Sequence, residues 1–240
     1  MWKSFDCARK TSQNLRTTRS TEIARRRRRG LWGQIWTLLL RPIEFFRTLP
    51  AYADARHWVF AALITIVLVS LSAVQRNTLL NPPAETSTTL FNWNIALIAA
   101  STFLVSWVVQ AVLLSVASLL SGSPPRFGLN LQIAIWAALP LGLMAGLQLL
   151  YYNAGGVIGA EGVSGLVSEI PSYADLSPFA LAAVTALAAQ VTIFWLWNLL
   201  LLYFGARYAL DGGWLAAAFI VVAWVLVLVL VPVVIQMART

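Results

Sequence analysis

Residues 179–235 read FALAAVTALAAQVTIFWLWNLLLLYFGARYALDGGWLAAAFIVVAWVLVLVLVPVVI, and across that whole length only Arg207 and Asp211 carry charge. Two apolar runs, 179–208 and 214–235, flank a four-residue turn, LDGG, at 210–213. A helix of about 20 apolar residues crosses the hydrocarbon core of a bilayer, so each run is long enough to span. A Gly-containing turn this short makes them a close antiparallel hairpin. The runs are continuous rather than alternating, which argues against a membrane β-barrel.

Three more such runs lie upstream, at 58–74, 95–120 and 129–151, and none of the five contains Asp, Glu or Lys. The connections are polar or rich in Pro and Gly: NTLLNPPAETSTT at 77–89, SGSPPRFG at 121–128, and the Gly-rich stretch 152–178. The 240-residue chain is 59% hydrophobic and 11% charged. Soluble domains run at about 45–50% apolar and 25% charged, and a water-soluble globule could not hide the excess. The fold expected is all-α: a polytopic membrane protein with a five-helix transmembrane bundle and an interfacial N-terminal helix. One cysteine, Cys7, excludes a disulfide scaffold, and His57 as the sole histidine leaves nothing from which to build a His/Cys metal site.

Of the 17 Lys and Arg residues, 13 fall in residues 1–57, with Arg25, Arg26, Arg27, Arg28 and Arg29 in an unbroken row. Such a basic segment suits nucleic acid or an anionic membrane surface. An apolar body follows at once and no nucleic-acid-binding module accompanies it, so the expected partner is a bilayer containing anionic lipids, not nucleic acid. The five arginines are expected to set topology or to hold the tail on the membrane surface. With the N-terminus in the cytoplasm and five spans, 15 basic residues lie inside and two, Arg76 and Arg239, outside. That distribution obeys the positive-inside bias and puts the C-terminus outside the cell membrane. Trp58, Trp93, Tyr151, Tyr152, Tyr203, Tyr208 and Trp214 lie near span ends, where aromatic belts form.

The chain divides into a basic tail (1–30), an amphipathic segment (31–56) and a five-span membrane domain (57–236). The tail is rich in Arg, Ser and Thr and too poor in apolar residues to bury a core, so it is expected to be disordered. In the second segment Trp32, Ile35, Trp36, Leu39 and Leu40 recur at helical spacing, and Pro42 opens a further short element with Ile43, Phe45 and Phe46 on an apolar side. It is too short and too charged to span. Two readings fit: a helix lying in the cytoplasmic interface, with Arg41 and Arg47 among its polar positions, or a helix packed on the end of the bundle.

Polar side chains inside apolar spans need partners, and interhelical bonds there are worth about 0.6–2 kcal/mol each. Thr102, Ser106 and Gln110 stand at i, i+4 and i+8 on the second span; Gln132 and Gln148 are on the third, and Gln190 and Asn198 on the fourth. They read first as glue between helices and second as a polar pathway. Gln110 and Asn198 are expected to point into the bundle at one level. Pro140, Gly142 and Gly146 form a kink and a small-xxx-small pair that lets another helix approach closely. Glu161, Glu169 and Asp175 are spaced along the outer loop and read as solvated. No catalytic motif occurs, no span offers a carboxylate for a proton relay, and no cofactor is expected.

The phrase RPIEFFRTLP (41–50), then a polar stretch, Trp58 and the first span, resembles the opening of bacterial Yip-family (Ypt-interacting protein family) domains. The final hairpin, WLWNLLLLYFGARYALDGGWLAAAFIVVAWVLVLVLVP (195–232), is similar to the last hairpin of that family, and Pro140 matches its habit of a proline in the third span. The resemblance covers about residues 40–236 and implies a basic cytoplasmic head and five spans. The DLYGP-type motif of eukaryotic members does not occur here, and the resemblance brings no Rab GTPase binding with it. The function expected is a non-enzymatic integral membrane scaffold or accessory subunit that binds other membrane proteins or lipids. The alternative is a small permease or channel component. Other membrane proteins and further copies of the same chain are the protein partners considered.

Overall fold

The computed structural model describes residues 30–49, 55–82, 92–167, 169 and 176–238. The arginine row, Arg25, Arg26, Arg27, Arg28 and Arg29, lies outside the described residues, as do Asp175 and Arg239. Among those described, no strand occurs. The protein is an all-α polytopic membrane bundle. Its helices are α1 (Leu31–Leu40), α2 (Pro42–Thr48), α3 (Ala55–Leu80), α4 (Trp93–Leu120), α5 (Phe127–Ala137), α6 (Leu139–Asn153), the short α7 (Ser164–Val167), α8 (Pro178–Gln190), α9 (Ile193–Phe204), a π-helical turn (Gly205–Ala209) and α10 (Trp214–Met237). Four units are long and apolar enough to cross a membrane: α3, α4, α5 with α6, and α10. α8 and α9 reach that length and apolarity only when taken together, as one bent pair.

Local chemistry sets the helix ends. The Asn92 side chain accepts the Ile95 N–H at 3.3 Å and so caps α4. At the other end Gly122 adopts φ +72°, while Gly122 N–H reaches Leu119 O and Ser123 N–H reaches Ser118 O at 2.9 Å. That is a Schellman closure, and glycine takes the left-handed position without strain. Pro42 and Pro178 sit in the first turns of α2 and α8, where no helical N–H is lost.

Two spans depart from the sequence reading. The first is longer than 58–74, running through Leu80. The fourth, expected as one continuous helix over 179–208, is broken: α8 and α9 meet at 86° across Val191 and Thr192. A straight helix from 178 to 209 would be about 48 Å long. Fitting it into a core of about 30 Å would demand a tilt of about 50°, beyond the usual range of 0–40°.

The side-chain bonds sort the bundle into two ends. One end carries α1, α2, the 121–126 turn and the π-helical turn: Gln34 Nε2 lies 3.2 Å from His57 Nδ1, and Arg47 stacks over the Tyr208 ring at 4.9 Å. The opposite end carries the close of α3, the start of α4 and the stretch after α6. There Ser70 donates to Ala96 O (3.3 Å), Ser72 donates to Gln148 Oε1 (3.2 Å), and Arg76 pairs with Glu161. The core is densest toward the first end, where Leu38, Phe46, Ile133, Trp136, Leu201 and Ile220 are fully buried. Phe45 and Phe46 enter this core, with Phe45 edge-on to Trp136 at 5.2 Å between centroids. Of the two readings of the 31–56 segment, packing on the end of the bundle describes α2. α2 is packed into the bundle, while Trp32, Trp36 and Leu40 of α1 stay exposed.

Candidate functional site

The features with most chemical content are the polar groups held inside the bundle. Asn198, on α9, is wholly buried, and its Nδ2 donates to the Ala137 carbonyl at 2.8 Å. The reason lies in α5–α6. In a continuous helix Leu141 N–H would reach Ala137 O; beside Pro140 it turns instead to Ala138 O at 2.9 Å, so Ala137 O is left without its helical donor. Neighbouring helices re-satisfy such carbonyls in membranes, and Asn198 does so here. A proline and an asparagine 58 residues apart in sequence thus form one unit.

Gln110 is also buried, at 2% exposure. Its Oε1, like Asn198 Oδ1, has no hydrogen-bond partner among the described residues. Gln148 accepts from Ser72 and ties α6 to α3. Gln132 is buried on α5. Thr102, Ser106 and Gln110, at i, i+4 and i+8 on α4, do not share one buried face, however. Thr102 faces outward and bonds back to Ile98 O, and half-buried Ser106 bonds back to Phe103 O. At 100° per residue, each i+4 step drifts by about 40°, so Thr102 lies about 80° around the helix from Gln110. Gln190 is exposed at the end of α8, beside the break.

The small-residue pair packs α6 onto α3. A Cβ on Gly142 would come within 2.9 Å of Thr65 Oγ1, and one on Gly146 would stand 3.5 Å from Leu68. Gly205, in the π-helical turn, is closed off in the same way by Ile133 and Phe46.

Asn130 was missed by sequence reasoning. It is fully buried on α5, and its Nδ2 donates to Ser115 Oγ on α4 at 2.8 Å. The signal was a lone amide between leucines, two residues before Gln132, at the edge of a span where polar residues are ordinary. Thr65, Ser72 and Ser118 are further buried polar groups. At the first end Arg207 Nη1 donates to Gly212 O (2.7 Å) and fastens the hairpin turn. Beside it lies a cleft of about 170 Å³ bordered by Ser118, Ser123, Arg126 and Asp211. Arg41 pairs loosely with Glu44 at 3.7 Å on an exposed surface. Among the described residues no group of three or more His, Cys, Asp or Glu could hold a metal.

The sequence pattern that defines the Yip1 domain matches residues 25–235. This chain belongs to the Yip1-domain family. No curated protein and no solved structure matches it. The matched stretch takes in the α1–α2 segment as well as every apolar unit, so the packed N-terminal helices are part of the Yip1 domain. It begins at Arg25, so the row from Arg25 through Arg26, Arg27 and Arg28 to Arg29 falls inside the match as well. As a Yip1-domain protein it is an integral, multi-pass membrane protein.

Proposed function

We propose that this Yip1-domain protein is a non-enzymatic scaffold or accessory subunit of a bacterial cell membrane, binding other membrane proteins or lipids. One observation carries the reading: Asn198 and Gln110, the groups best placed to line a polar pathway, are 0% and 2% exposed. Amides so enclosed favour a role in helix packing over the lining of an open pathway. Lipid contact is supported by α1, whose exposed Trp32, Trp36 and Leu40 adjoin the basic N-terminal tail. Such a surface seats in the headgroup region of an anionic leaflet. A homo-oligomer is a further form the partner could take.

The broken fourth unit favours a second reading, a small permease or channel component, because discontinuous helices line substrate sites in secondary transporters. Reconstitution separates the two. Proteoliposomes of the purified chain should show no more ion or small-solute leakage than empty vesicles. Native mass spectrometry from mild detergent should show a stoichiometric protein partner or retained anionic lipid. Saturable solute flux would overturn the scaffold in favour of the permease.

A further inference from the structure

The break between α8 and α9 lacks the usual local cause. The residues across it are Gln190, Val191, Thr192 and Ile193, with neither Pro nor Gly among them, and sharp kinks in helices almost always need one of these or an inserted group. The inserted group is present. The loop after α6 reaches back to the break, and Val163 N–H donates to the Ala188 carbonyl at 2.9 Å. In a continuous helix that carbonyl would take the N–H of Thr192. Thr192 instead caps α9, its Oγ1 accepting from Trp195 N–H at 3.1 Å and facing Met144 Sδ at 3.7 Å.

Gly162 makes the insertion fit. It has φ +56°, and a Cβ there would overlap the Ala188 and Ala189 carbonyl oxygens. The residue before it, Glu161, is held by Arg76 at the end of α3. Three consecutive residues therefore perform three tasks: an ionic anchor on α3, a left-handed turn without a side chain, and a backbone donor inserted at the break.

We propose that residues 161–163 form a strap that pins α8 as a hinged arm against α10, with the hinge at Val191–Thr192. Membrane thickness explains why a unit of this length is not straight. The strap explains why it bends where it does and why the arm is held at one angle. The arm is thereby coupled to the end of α3 that bears Arg76, so an event at that face of the bundle reaches the fourth unit through the strap.

The test uses the full chain in lipid nanodiscs, with Cys7→Ser and with spin labels at Phe179→Cys and Leu200→Cys, both exposed positions. For two helix segments at right angles the separation is about 23 Å, against about 32 Å if the unit straightens. The unmodified strap should give one narrow distribution near the shorter distance. Gly162→Val, which cannot seat against the carbonyls, should broaden it toward the longer one. Val163→Pro, which removes the inserted donor, should do the same and decides the matter if Gly162→Val does not fold. Distributions as narrow in the variants as in the parent would overturn the strap, and so would a parent distance already near the longer value.

Discussion

Asn198 depends on Pro140 for its role, because the proline frees the carbonyl that the asparagine fills. Asn198→Leu keeps the side chain's approximate volume and removes the donor, leaving Ala137 O unpaired in a region without water. We expect the variant to insert normally and to lose about 1–2 kcal/mol against SDS-induced unfolding, the range of interhelical bonds in membranes. The loss should shrink when Pro140→Ala is added, since α6 can then supply its own donor to that carbonyl. An unchanged unfolding midpoint for Asn198→Leu would show that the bond carries no net weight.

The fourth apolar unit is where a single element alters the meaning of the rest. α9 and the π-helical turn run from the level of Met144 to the end that carries Ser121, about 25 Å at the helical rise. On this geometry α9 and the π-helical turn cover most of a hydrocarbon core of about 30 Å. The expectation is five crossings with the N-terminus inside and the C-terminus outside. A reporter fused after Thr240 should be exported, and one placed at Pro124 should stay in the cytoplasm. A cytoplasmic C-terminal reporter would mean that α8 and α9 form a re-entrant pair that never crosses.

For the whole molecule, charged and apolar residues are segregated along the sequence. The basic residues crowd ahead of α3, next to a helix whose tryptophans face outward, while the bundle behind them is almost free of charge. A detached peptide covering residues 1–56 should bind vesicles containing anionic lipid and release from them as salt rises, since screening acts on exposed charges. Replacing Arg25, Arg26, Arg27, Arg28 and Arg29 together with Gln should weaken that binding several-fold. Equal binding to neutral vesicles would assign the anchoring to Trp32, Trp36 and Leu40 alone.

The sequence by itself determined the class of fold, because apolar runs of this length have one stable solution in a bilayer and because Gly and Pro punctuate them. It also marked Gly142, Gly146, Pro140 and Asn198 as residues with work to do, since each is conspicuous in apolar text. Tertiary structure decided which of them act together. The bond from Asn198 to Ala137 O, the fit of Gly142 against Thr65 and the burial of Asn130 join positions far apart in the chain, and helical spacing on one segment holds no record of its neighbours. The same limit hid the break in the fourth unit. Between Gln190 and Ile193 the one local signal is the N-cap Thr192, a lone threonine in apolar text, because the second donor to Ala188 O, Val163 N–H, arrives from a loop. Local sequence sets what a segment can form alone, whereas a bend held by a distant donor exists only once both segments are in place.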